Sequence, residues 1–177
     1  MRIQLYSDLH LEFADFQPAD VEADVVVLAG DIHLGVKGVS WAKAQFDGPV
    51  LYVLGNHEFY KHKHPTLVDK CKEEAAGSNV VVLQDEGAVV DGVTFYGTTL
   101  WTDFAVFGDA DTNRAVEAAR VGMSDFRLIR VPPTYRKFSP EDARRSCRVS
   151  QARMRSFLDD ADGPVIVVSH HLPLRSL

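Results

Sequence analysis

Short apolar runs rich in β-branched residues alternate along the chain with segments of helical periodicity, which predicts an α/β fold. Arg2–Tyr6, Val25–Ala29, Val50–Leu54 and Val165–Ser169 are almost continuously apolar, the pattern of strands buried on both faces beneath covering helices. Val80–Leu83 reads as a further strand. Ala88–Val90 and Val93–Tyr96 flank Asp91-Gly92, a favoured hairpin turn pair, so part of the sheet structure is expected to be antiparallel. Helices are predicted over 38–46, 65–76, 109–121 and 140–158. Pro65 suits a first helical position and Gly77 a stop. Ser139 is the expected N-cap of the last helix, with Pro140 next and Asp142 at N3. Ala143, Cys147, Met154, Phe157 and Leu158 fall near one face of that helix and read as a core stripe. Residues 99–138 are the least regular segment and are expected to form a loop or cap.

The balance of 46% hydrophobic and 25% charged residues over 177 positions is that of a globular protein, read as a single domain over 1–177. No apolar run approaches the roughly 20 residues of a membrane span. The first eight residues reach a carboxylate, Asp8, too early for a secretory apolar region, so a cytoplasmic location is expected. Cys71 and Cys147 are far apart and read as reduced thiols. The net charge of −6 is uneven, because residues 1–60 hold nine acids and three bases while 61–177 hold sixteen of each. Residues 127–155 carry nine Lys or Arg against Glu141 and Asp142. Such a stretch attracts phosphate, but the commoner meaning is a solvated helix face. It shows no regular interleaving with aromatics, so nucleic acid is not the expected partner.

The ends of the strands carry the chemistry. Arg2–Tyr6 is followed by Ser7-Asp8-Leu9-His10, and Val25–Ala29 runs into Gly30-Asp31. Val50–Leu54 is followed by Gly55-Asn56-His57-Glu58, and Val165–Val168 leads through Ser169 to His170-His171. In open α/β sheets the functional crevice lies outside the carboxyl ends of the strands, so parallel strands would bring all four clusters to one edge. Glycines beside two of the clusters let the backbone approach closely. Carboxylate, amide and imidazole donors without a cysteine pair suit borderline-hard divalent ions such as Mn²⁺, Fe²⁺ or Zn²⁺.

Asp8-Leu9-His10, Gly30-Asp31, Gly55-Asn56-His57-Glu58 and the later His170 resemble, in order and spacing, the blocks of the calcineurin-like metallophosphoesterase superfamily. Ser7-Asp8-Leu9-His10-Leu11-Glu12 and Leu100-Trp101-Thr102-Asp103-Phe104 look like a bacterial branch of small cytoplasmic members. The resemblance implies two packed mixed β-sheets flanked by helices, a four-layer sandwich. It implies two divalent metal ions, with Mn²⁺ favoured. Asp8 and His10 would bind the first, Asp31 would bridge both, and Asn56 and His170 would bind the second. His57 would protonate the leaving oxygen or contact the phosphate, and a metal-bridging hydroxide would attack phosphorus directly. Glu58 would stand behind the ligands rather than among them.

Departures from the family pattern matter too. No G-x-H-x-H block follows, since the chain ends eight residues after Ser169, so each metal would keep three protein ligands of four. A C-terminal truncation is the expectation, with exposed sheet surface that promotes self-association. Protein phosphatases similar to this pattern carry G-D-x-x-D-R-G, where the second Asp orients the catalytic histidine. Leu34 and Gly35 stand there instead, which disfavours that activity. His33, His62 and His64 read as loop or surface residues, and in similar H-H-x-P endings the ligand is the first histidine, hence His170 over His171. The sequence thus points to a phosphoesterase acting on a small phosphomono- or diester. A nuclease-type phosphodiesterase and a non-catalytic interaction module are the alternatives.

Overall fold

The apolar runs form the strands of two packed sheets in a computed structural model that describes residues 1–173. In chain order the elements are β1 Ile3–Tyr6, β2 Val25–Ala29, α1 Lys37–Gln45, β3 Val50–Val53, α2 Leu67–Ala75, β4 Val80–Leu83, β5 Glu86–Val90 and β6 Val93–Thr98. There follow α3 Thr112–Gly122, α4 Asp125–Leu128, β7 Arg130–Val131, β8 Arg136–Lys137, α5 Pro140–Asp159 and β9 Val165–Ser169. Strands β1 to β4 form one all-parallel sheet in sequential order. The second sheet has the order β5-β6-β9, with β5 antiparallel and β9 parallel to β6. Asp91 and Gly92 make the hairpin turn with φ of 47° and 77°, the left-handed pair that matches strand twist.

Between the sheets, Val25, Val27, Ala29, Leu51, Val53 and Leu83 meet Phe95 and Val168. On the outer face of the first sheet, Val26, Leu28, Val50 and Tyr52 pack with Val39 and Ala42 of α1 and Val68 and Cys71 of α2. Helix α5 lies over the second sheet, where Phe157 meets the Tyr96 ring at 4.9 Å. The layers therefore run helix, sheet, sheet, helix. Ser139 caps α5 by accepting from the Asp142 backbone N–H, while the Asp142 carboxylate accepts from the Ser139 N–H, a reciprocal capping box.

Several expectations are corrected. Only β2 and β3 are buried on both faces. Strands β1 and β9 are edge strands, with Ile3 41% and Leu5 63% exposed. Ile3 and Leu5 pair in register with Val25 and Val27, so they belong to the inter-sheet face. Strands β5 and β6 pack near β4 and β3, which leaves β1 beyond the cover of a three-stranded partner. Pro65 does not open α2; its peptide bond with His64 is cis and the helix begins at Leu67. Within residues 99–138 the helix predicted over 109–121 appears as α3, and the stretch adds α4 and the β7–β8 ribbon and buries Trp101, Phe104, Phe126, Ile129 and Phe138 in the core, so it is more than a loop. On α5, Ala143 and Cys147 are buried as the stripe predicts, but Leu158 is 41% exposed. Among the described residues no helix is long and apolar enough to cross a membrane.

Candidate functional site

The clusters that follow β1, β2, β3 and β9 meet, although β9 lies in the other sheet. The loops after β1 and β2 are laced by backbone bonds, Asp8 N–H to the Gly30 carbonyl (3.0 Å) and His10 N–H to the Asp31 carbonyl (2.9 Å). To turn this sharply, Asp8, His10 and Asp31 take left-handed φ of 56°, 48° and 55°. The glycines leave room for side chains of the site: a Cβ on Gly30 would strike the His170 ring, and one on Gly55 would strike the Asp31 carboxylate.

Glu58 locks these loops from beneath. Fully buried, it accepts from the backbone N–H groups of Asp31 (3.0 Å), Ile32 (2.9 Å) and Gly55 (2.8 Å) and from the Tyr52 hydroxyl (2.8 Å). Burial first, then the Asp31 charge, push its carboxyl above the usual range against the pull of those donors. All of its oxygen capacity is used internally, so it faces the loops and not the cleft.

Asp31 is the centre of the site, with a side chain only 5% exposed. Its Oδ2 lies 3.8 Å from His10 Nε2 and 4.0 Å from His57 Nε2. Its Oδ1 lies 3.5 Å from His170 Nε2 and accepts the His57 backbone N–H at 2.8 Å. Asp8 Oδ1 stands 3.8 Å from His10 Nε2 on the first side, and Asn56 Oδ1 stands 3.1 Å from His170 Nε2 on the second. The two oxygens of one carboxylate thus face two separate donor sets. Burial raises the Asp31 carboxyl, but the hydrogen bond and charge of His170 outweigh it and hold it below its ordinary value. Burial depresses His170, but Asp31 and the Ala29 carbonyl lift it to about 9.

The sequence-predicted residues Asp8, His10, Asp31, Asn56, His57 and His170 therefore come together. His171 turns away, with Nδ1 on the Thr99 carbonyl at 3.0 Å and its ring against Trp101. His33 Nδ1 accepts the Leu34 N–H at 2.7 Å. His64 corrects the surface reading, because its ring is enclosed by Phe59, Trp101 and Phe138 at 5.0–5.4 Å.

Three neighbours were not assigned from the sequence. Glu12 Oε1 lies 2.7 Å from His57 Nδ1 and 3.3 Å from His10 Nδ1. Burial raises the Glu12 carboxyl, and the hydrogen bonds from His57 and His10 more than reverse that. The buried Asp125 accepts from Asn56 Nδ2 at 2.8 Å, and Tyr60 contacts the same amide at 3.3 Å. This fixes the Asn56 amide with Oδ1 toward His170. Glu12 had a signal, its place two residues after His10. Asp125 had none, because it comes from the irregular stretch before β7.

Ligand atoms of Asp8, His10 and Asp31 lie within 4.8 Å of one another, close enough for a single ion. Carboxylate, imidazole and amide oxygen together fit a divalent ion of borderline hardness. A model of the calcineurin-like phosphoesterase family matches residues 1–176. The uncharacterized protein L509 of Acanthamoeba polyphaga mimivirus is 25% identical over 205 residues, an alignment that covers 99% of this chain and 70% of that protein.

Proposed function

This chain belongs to the calcineurin-like phosphoesterase family, and on that premise we propose that it hydrolyses small phosphomono- or diesters with two divalent metal ions, Mn²⁺ by preference. The observation that carries this reading is Asp31, whose Oδ2 faces His10 while its Oδ1 faces His170. In it Asp8, His10 and Asp31 hold one ion, and Asp31, Asn56 and His170 hold the other. When bound, such a pair acidifies a water and offsets negative charge on the phosphoryl oxygens.

The rest of the work falls to side chains. Asp31 would serve both ions, since its Oδ2 faces His10 and its Oδ1 faces His170. Asp125 holds the Asn56 amide so that Oδ1, the better ligand atom, faces inward. His57 Nε2 stands near the same Asp31 oxygen as His10 Nε2, where a leaving oxygen would emerge. As the water oxygen bonds to phosphorus, the ester P–O bond breaks, and its electron pair stays on the leaving oxygen. That oxygen takes the Nε2 proton of His57, whose ring enters the step doubly protonated and leaves it neutral with Nδ1–H retained, a general-acid step typically worth about 10²–10⁴-fold.

Self-association belongs to the same reading, through Ile3, Leu5 and the edge of β9, which among the described residues pairs with β6 alone. A small substrate is favoured over nucleic acid because arginines of the basic stretch pair internally. Arg136 and Arg145 lie on Asp142, and Arg153 on Asp85. The test is hydrolysis of p-nitrophenyl phosphate and bis-p-nitrophenyl phosphate with added Mn²⁺ and again with a chelator. Release of p-nitrophenol that requires the metal is expected. Neither ester being cleaved under any divalent ion would overturn the reading.

A further inference from the structure

Resting on the hydrolase reading above, we infer that Glu12 is the positioning residue for His57. Its carboxylate accepts the Nδ1–H and so holds Nε2 toward the reacting phosphate. Leu34 stands where the protein-phosphatase pattern has its orienting carboxylate after the Gly-Asp block. A carboxylate nevertheless reaches the ring from a different loop, with Glu12 Oε1 at 2.7 Å from His57 Nδ1 and the Glu12 side chain only 9% exposed.

The direction of the bond follows from chemistry. An ionised carboxylate can only accept, so the Nδ1 atoms of His57 and His10, both on Glu12 Oε1, must carry the protons. The Nε2 atoms of both rings then turn to Asp31 Oδ2, at 4.0 and 3.8 Å. One oxygen thereby holds the Nδ1–H of a metal-binding histidine, leaving its Nε2 bare, and the Nδ1–H of the neighbouring ring, whose imidazolium form gives up its proton from Nε2. Ring packing alone does not achieve this. Tyr60 at 4.2 Å and His10 at 4.4 Å restrain the plane of His57, but a half-turn about its ring bond keeps that plane and exchanges nitrogen for carbon. Only a group that distinguishes Nδ1–H from C–H selects the productive orientation.

Two competing roles are weaker. His10, Glu12 and His57 also have the spacing of a metal cluster. However, 2.7 Å is a hydrogen-bond distance, whereas two ligand atoms at roughly 2.1 Å from one tetrahedral ion stand about 3.4 Å apart. His33 is no alternative partner for the carboxylate, because its Nδ1 lies 4.0 Å from Glu12 Oε2 and already accepts from Leu34. Glu12 Oε2 is left buried without a hydrogen-bond partner, so Oε1 carries the whole interaction.

The test has one arm that needs no metal. Long-range ¹H–¹⁵N correlation spectra of the metal-free protein, recorded with the imidazoles neutral and His57 assigned by its loss in His57→Ala, report the tautomer. The wild type should show Nδ1 protonated, and Glu12→Ala should move the proton toward Nε2. At saturating Mn²⁺, Glu12→Ala should lower kcat on an alkyl phosphoester by about 10-fold or more. The p-nitrophenyl ester, whose leaving group needs no proton, should change little. Glu12→Asp should restore part of the loss, and Glu12→Ala should add nothing in a His57→Ala background. Should Glu12→Ala fail to fold, Glu12→Leu, which fills the space without an acceptor, replaces it. An unchanged His57 tautomer, or equal losses on both leaving groups that multiply with His57→Ala, would overturn the inference. A wild type that cleaves no ester sinks the hydrolase reading instead, and the imidazole spectrum then decides Glu12 by itself.

Discussion

His170 Nε2 lies 3.1 Å from Asn56 Oδ1 across 114 residues of chain, joining the end of β9 in one sheet to the end of β3 in the other. The second half of the site therefore exists only when both sheets are packed together. Asp31, which faces both halves, should be the most sensitive ligand. Asp31→Asn is expected to reduce bound metal at both positions, and Asn56→Ala chiefly at one. Elemental analysis after equilibrium dialysis checks this, and equal stoichiometry in wild type and Asp31→Asn would contradict the bridging role.

Glu58 satisfies three buried backbone N–H groups and one hydroxyl. In Glu58→Gln one acceptor oxygen becomes an NH₂ that confronts these donors. Unsatisfied buried groups of this kind cost about 1–3 kcal/mol each. A loss of about 3 kcal/mol in urea unfolding is expected, together with weaker metal uptake, because the loops bearing Asp31 and Asn56 lose their common anchor. A variant as stable as wild type would show that the loops hold themselves.

His64 makes stability depend on acid. Burial lowers its pKa from the ordinary 6.5 to about 4, against the weaker pull of Asp142 and Asp85. Between those values the unfolded chain binds more protons than the folded one, so stability falls as pH falls. The contribution is whole above about 6.5 and has dropped by about 3 kcal/mol near 4, at roughly 1.4 kcal/mol per unit. Urea titrations at several pH values should show this slope in the wild type and a shallower one in His64→Phe. Identical slopes would mean that the ring is not protected.

How far the sequence carried depends on the range of the interactions involved. Strands β2 and β3 were legible because every residue in them is apolar. Asp8, Asp31, Asn56 and His57 were legible because each directly follows a strand. Ile3 and Leu5 look equally buried from composition, but their exposure depends on how many strands the opposite sheet has. His64 sits in a run of lysines and histidines that reads as surface, yet Trp101 and Phe138, brought from distant segments, enclose it. Asp125 likewise meets Asn56 only through the fold of residues 99–138, a stretch whose periodicity is too weak to place.

Ile3, Leu5, Ile166 and Val167 leave apolar surface at the β1 and β9 edges, 37–63% exposed. Reversible self-association is expected, and sedimentation velocity over a range of concentrations should detect it. Leu5→Lys and Val167→Lys should each shift the distribution toward monomer, since edge lysines oppose strand pairing and sheet stacking. A wild type that stays monomeric at the highest concentration would argue against this surface as a contact.

The left-handed backbone of Asp8, His10 and Asp31 sets the candidate site against the endurance of the fold. Each such residue costs about 1 kcal/mol or more. In metal-free protein, Asp8→Gly should therefore unfold at a slightly higher temperature than wild type, by scanning calorimetry, while losing hydrolysis. A library screened for heat resistance alone would then accumulate survivors altered at Asp8, whereas Asp31, held by His170 and the His57 N–H, would stay. Breeding a hardier version of this protein would require a selection in which metal is present and turnover is scored alongside survival.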